Sequence, residues 1–113
     1  LAGYHDGSEE FLTTMNNVLQ LNRHNRIKIV APLIEMSKKD IVKAGVLIYN
    51  IDFSKTWTCY AGNSLSDATT ASSSLRLKGF IEAGYKDPLQ YKQQEKLEEL
   101  YKQNNCKEIT YAN

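Results

Sequence analysis

The sequence predicts an α/β fold, mostly helical with one or two short strands, and three observations carry that reading. The chain has 113 residues, enough for one domain with one modest core. Apolar residues recur at helical spacing in several separate stretches. One run, Ile27-Lys28-Ile29-Val30-Ala31, is instead short and β-branched, as a strand would be.

The elements follow in order. Ser8 suits a helix N-cap, and Glu9 and Glu10 place negative charge where the helix dipole favours it. Phe11, Met15, Val18 and Leu19 then form one stripe of a helix ending near Asn22, before the polar turn Arg23-His24-Asn25-Arg26. The strand Ile27 to Ala31 comes next and Pro32 ends it. Ser37 with Asp40 resembles a capping box for a second helix, whose inner stripe is Ile41, Ala44 and Ile48. Asn50 is placed to close its far end in a left-handed conformation, and Gly45 inside it implies a close contact. From Ile51 to Ser74 periodicity is lost. Residues 63–74, small and polar, read as a flexible loop on composition. A third helix carries Leu75, Leu77, Phe80 and Ile81 and stops at Gly84. A fourth runs from Asp87-Pro88 to about Gln103, with Tyr91, Leu97, Leu100 and Tyr101 on one side. Lys107 to Ala112 is a short strand or a frayed tail.

Composition narrows the function. Fourteen basic and thirteen acidic side chains give a net charge of +1, which supplies no field for nucleic acid or acidic lipid. No apolar run approaches the ~20 residues of a membrane span, and no N-terminal segment has signal-peptide order. Cys59 and Cys106 are too far apart for a Cys-x-x-Cys and suggest no disulfide framework, so the composition reads as cytoplasmic. The chain begins Leu-Ala-Gly, as a fragment or a processed product would. It has no glycine-rich phosphate loop, nucleophile elbow or His-Glu-x-x-His. Tyr4-His5-Asp6 could orient an imidazole against a carboxylate, a weak signal in so short a stretch.

Two further stretches carry more. Thr56-Trp57-Thr58-Cys59-Tyr60, followed by Leu75-Arg76-Leu77-Lys78-Gly79-Phe80, resembles the C-terminal region of the 7-cyano-7-deazaguanine (preQ0) synthases of queuosine biosynthesis, also called ExsB proteins. Gly3-Tyr4-His5-Asp6 resembles their Gly-Tyr-Pro-Asp element. Ala31-Pro32-Leu33, then Ser37-Lys38, Asp40-Ile41-Val42 and Gly45, resemble a further stretch of the family pattern. These matches run in order through residues 1–89; residues 90–113 form the last helix and tail.

The resemblance implies the C-terminal, mostly helical portion of an adenine-nucleotide α-hydrolase-like fold. It implies an ATP-dependent ligase acting on a deazapurine, with the phosphate-binding loop outside this chain and supplied by a separate ATP-binding segment, and it implies homodimer contacts in this part of the family fold. It places substrate contacts at Tyr4, Asp6, Trp57 and Arg76. Asp6 could accept N–H groups of a purine-like ring or merely cap a turn. Trp57 and Tyr60 could stack on a heterocycle or pack in the core, and Arg76 and Lys78 could face a phosphate or solvate a helix face. The family's four zinc thiolates fall at Cys59, Asp67, Thr70 and Ser73, of which one is a cysteine. Hydroxyls are poor zinc ligands, so no structural zinc is expected, and residues 61–74 should be mobile unless other packing holds them. Gly7 and Ser8 stand where the family has Cys-Arg, which removes a bidentate fork for a carboxylate or phosphate. The contrasting reading is a degenerate, non-catalytic interaction module that docks through its last helix.

Overall fold

A computed structural model describes residues 4–22, 24, 27–62 and 65–112. The expected turn at Arg23, Asn25 and Arg26, the tract at Asn63-Ser64, and Gly3 of the first motif lie outside them. The chain divides into two compact units, Leu1–Glu35 and Met36–Asn113.

In the first unit a 3-10 turn, His5–Gly7, leads into α1, Glu9–Leu19. Ser8 caps it as expected, its Oγ accepting from Phe11 N at 3.1 Å. The helix stops short of Asn22. Its better-covered positions are Leu12, Met15 and Leu19, whereas Val18 is exposed, so the expected stripe is rotated. No strand forms at Ile27–Ala31. A strand needs a neighbour to satisfy its backbone, and here a side chain does it instead. The Asn16 carboxamide accepts from Ile29 N at 2.8 Å and donates to Ile29 O at 2.9 Å.

The second unit begins with α2, Lys38–Leu47. Ser37 Oγ accepts from Asp40 N at 3.1 Å, but it also donates to Asp40 Oδ2 at 2.8 Å. Asp40, too short to reach back to the cap backbone, binds the cap hydroxyl, so the expected capping box is only half made. The buried positions of α2 are Val42 and Gly45, while Ile48 is 71% exposed. The inner stripe therefore sits one residue away from the one expected. Asn50 takes φ +49° as anticipated, and its side chain pairs with Ala112 N and O at 3.0 Å.

A 3-10 turn, Phe53–Lys55, precedes α3, Ala71–Ala83. Residues 71–74 are thus the first turn of α3 and not a flexible loop. Thr70 is the N-cap, its hydroxyl accepting from Ser73 N at 3.4 Å, a role that composition alone conceals. Gly84 closes α3 at φ +83°. The fourth helix, α4, is Gln94–Gln103 and begins later than expected. The chain first turns on Asp87, which accepts from Leu89 N at 3.0 Å, while Gln94 Oε1 accepts from Tyr91 N at 2.9 Å. Tyr91 accordingly lies before the helix. Leu97 and Tyr101 face inward and Leu100 is exposed.

Among the described residues there is no sheet. Two isolated parallel bridges, Ser66 to Tyr91 and Tyr85 to Lys107, are the remnants of strand pairing, and the second pins the C-terminal segment that was expected to be a strand or a frayed tail. Two apolar clusters form the core of this unit. One joins Val42, Phe80, Ala83 and Tyr85; the other joins Tyr91, Leu97 and Tyr101 with Leu77 and Ile81 against it. Helix α4 thus packs on its own unit.

Candidate functional site

In the first unit, Tyr4 is exposed and Asp6 lies in the turn His5–Gly7. Asp6, Gly7 and Ser8 form one rim of an open groove of about 420 Å³, floored by Phe11, Leu12 and Met15 and walled by Ala31–Ile34. The lining is apolar apart from that rim. A flat heterocycle could lie on such a floor with its polar edge toward the Asp6 carboxylate.

In the second unit, Arg76 is only 8% exposed and Asp87 4%. Arg76 Nε donates to Asp87 Oδ2 at 2.7 Å and Nη2 to Oδ1 at 3.0 Å, a bidentate pair. Its remaining donors go to Thr56 Oγ1 at 2.8 Å, Thr58 Oγ1 at 3.3 Å and Phe53 O at 3.2 Å. The guanidinium also lies over the Phe80 ring, 5.3 Å from its centre. Arg76, Thr56 and Thr58, with Lys38, Ile41, Val42, Phe53 and Phe80, line a cavity of about 190 Å³.

This arrangement connects two residues the sequence analysis singled out separately. Thr56 and Thr58 flank Trp57, and alternate side chains of an extended segment point to opposite sides. By gripping both threonines, Arg76 turns Trp57 outward, where it is 47% exposed with Nε1 donating to Cys59 O at 2.6 Å. Tyr60 is exposed and Lys78 pairs on the surface with Glu82 at 3.6 Å.

Asp87 and Tyr91 join this site without any signal in the local sequence, because the link of Asp87 to Arg76 is tertiary. The Tyr91 hydroxyl donates to Asp87 Oδ2 at 2.5 Å, and Tyr101 Oη accepts from Asp87 N at 3.1 Å. Burial, and then the adjacent Asp87 carboxylate, push the Tyr91 phenol well above its ordinary value.

Three of the four positions that the resemblance implies for zinc thiolates converge through their side chains. Thr70 Oγ1 lies 3.8 Å from Cys59 Sγ and bonds Ser73 Oγ, and Ser73 Oγ donates to Asp67 O. The backbone N–H of Ala61, and less strongly that of Asp67, point at the Cys59 sulfur and hold its thiol below the usual range. The donor set does not fit zinc. It offers one thiol and two neutral hydroxyls, while the Asp67 carboxylate accepts from Thr69 N at 3.0 Å and lies 3.9 Å from Lys92. Among the described residues no three His, Cys, Asp or Glu side chains stand close enough to share a metal.

Comparison with known proteins now bears on the site. A family model described as "Queuosine biosynthesis protein QueC" matches residues 1–84. The chain is 41% identical over 110 residues to a 7-cyano-7-deazaguanine synthase of Thermoplasma volcanium, covering 94% of this chain and 44% of that protein. It is 38% identical to one from Clostridium kluyveri, covering 80% and 42%, and 36% identical to one from Thermoplasma acidophilum, covering 89% and 42%. The chain therefore spans less than half the length of these relatives. No solved structure matches. With three quarters of its length matched by the family model and its motifs in family order, the chain belongs to the QueC family of queuosine biosynthesis proteins.

Proposed function

We propose that this chain is the C-terminal portion of an ATP-dependent ligase that converts 7-carboxy-7-deazaguanine and ammonia to 7-cyano-7-deazaguanine. The observation that carries the reading is the family match over residues 1–84, supported by relatives named for that synthase. The chain would contribute substrate-side walls within an adenine-nucleotide α-hydrolase-like fold. In the first unit Asp6 accepts hydrogen bonds from the N–H edge of the deazapurine and Tyr4 offers a ring face; in the second, Trp57 offers a ring face and Arg76 acts as a positioning residue that sets it through Thr56 and Thr58. ATP, when bound, supplies the activation of the carboxylate. Its triphosphate would be held by a separate ATP-binding segment, because this sequence has no phosphate loop. The setting is cytoplasmic, with neither nucleic acid nor membrane as partner; no helix among the described residues is long and apolar enough to cross a bilayer.

The test uses the natural polypeptide that carries this sequence. Incubated with ATP, ammonia and 7-carboxy-7-deazaguanine, it should yield the nitrile, and the deazapurine should raise its melting temperature. Asp6→Asn should weaken deazapurine binding about tenfold, the equivalent of one charge-assisted hydrogen bond. Absence of both turnover and thermal protection, together with concentration-dependent self-association, would replace this reading with the interaction module.

A further inference from the structure

We propose that the hydroxyls of Thr70 and Ser73 take the place of a metal ion, joining Cys59 to the Asp67–Ser73 segment and starting α3 without any metal. Thr70 Oγ1 reaches Cys59 Sγ at 3.8 Å, Asp67 O at 3.4 Å and Ser73 Oγ, while Ser73 Oγ reaches Asp67 O and also Thr70 O at 3.2 Å. Thr70 Oγ1 in addition accepts from Ser73 N. Each hydroxyl carries one proton and two lone pairs, so the two can link a sulfur, the Asp67 carbonyl and a helix N-terminus, a junction that a divalent ion would otherwise make with thiolates.

Burial makes the cluster consequential. Ser73 is fully buried and Cys59 is 4% exposed, so water cannot replace these bonds cheaply. No buried side-chain polar atom among the described residues lacks a partner, which leaves this cluster internally satisfied. The Asp67 carboxylate is committed elsewhere, and the residue meets the cluster through its backbone, its N–H toward the Cys59 sulfur and its carbonyl toward Ser73. A cation entering here would displace Thr70–Ser73 pairing and gain a single thiolate in return. This junction holds the chain together independently of any catalytic role.

The experiment is metal analysis and thermal denaturation of the natural polypeptide produced in zinc-supplemented medium. It should carry no zinc, and excess chelator should leave its melting temperature unchanged. Ser73→Ala and Thr70→Val should each lower that temperature by about 4 °C or more, whereas Thr70→Ser, which keeps the hydroxyl, should stay near wild type. If Ser73→Ala does not fold, the contrast between Thr70→Val and Thr70→Ser carries the test. One zinc per chain, a chelator-induced fall in melting temperature, or a Thr70→Val protein as stable as Thr70→Ser would overturn the proposal.

Discussion

Asp87 stands at the centre of a buried polar network. Its two oxygens accept from Arg76 Nε and Nη2, Leu89 N and the Tyr91 hydroxyl. Removing it leaves a guanidinium buried with its principal counter-charge gone, so Asp87→Ala should destabilise the fold by about 3–5 kcal/mol. Lys78→Ala, by contrast, breaks an ion pair whose side chains are 69% and 47% exposed, and should cost about 0.5 kcal/mol or less. Urea denaturation of the two variants side by side checks both figures; similar midpoints would refute the ranking. The difference between Arg76 and Lys78 was not legible from residue type, since both are cations in one motif. It comes from a partner 11 positions away that only tertiary structure brings near. The N-caps at Ser8 and Ser37, the left-handed Asn50 and the stop at Gly84 were legible, because each is decided within a few residues of backbone.

Among elements, the contact of α2 with α3 depends on Gly79, and the contact of α2 with the turn Phe53–Lys55 depends on Gly45. A Cβ on Gly79 would stand 2.8 Å from Lys38 Cβ and 3.3 Å from the Lys38 carbonyl carbon, at the start of α2. A Cβ on Gly45 would enter the Phe53 ring, lying 2.8 Å from its Cε2. Alanine favours a helix interior over glycine by about 1 kcal/mol, yet overpacking a tight contact costs typically 1–3 kcal/mol. At Gly79 the neighbour includes backbone and cannot rotate away, so Gly79→Ala should be net destabilising, read as a lower denaturation midpoint. A stabilised Gly79→Ala would mean the helices separate without loss. In the first unit, Asn16→Ala should expose the Ile29 amide and speed its hydrogen exchange, since Asn16 supplies both of its polar contacts there. That clamp explains why the β-branched run misled. Residues 27–31 have strand propensity, but no described strand pairs with them, and pairing rather than propensity makes a strand. The serine-rich start of α3 misled for the opposite reason, because a local cap at Thr70 outweighs weak helix propensity.

At the scale of the second unit, the ion pair joins two cores. Arg76 covers Phe80 of one cluster, while Asp87 binds Tyr91 and Tyr101 of the other through its carboxylate and backbone N–H. This ties stability to the protonation of two phenols. Burial is the largest cause holding both above their ordinary value of 10, and for Tyr91 the Asp87 charge adds to it. A group raised in the folded state favours folding fully below its unfolded pKa, and that contribution is lost as pH climbs toward the folded value. Below about pH 10 both states keep these protons, and stability does not depend on them. Above it, the unfolded chain ionises first, so stability should fall with a limiting slope of about 1.4 kcal/mol per pH unit for each phenol. Urea midpoints between pH 8 and 11 should therefore be level at first and then decline, and tyrosinate absorbance should show Tyr91 and Tyr101 ionising last. Tyr91→Phe should reduce the slope by about half, leaving the Tyr101 contribution. A midpoint that stays level to pH 11 would mean that these phenols are not sealed in the core. The hydroxyl–carboxylate contact could not then be what couples the two clusters.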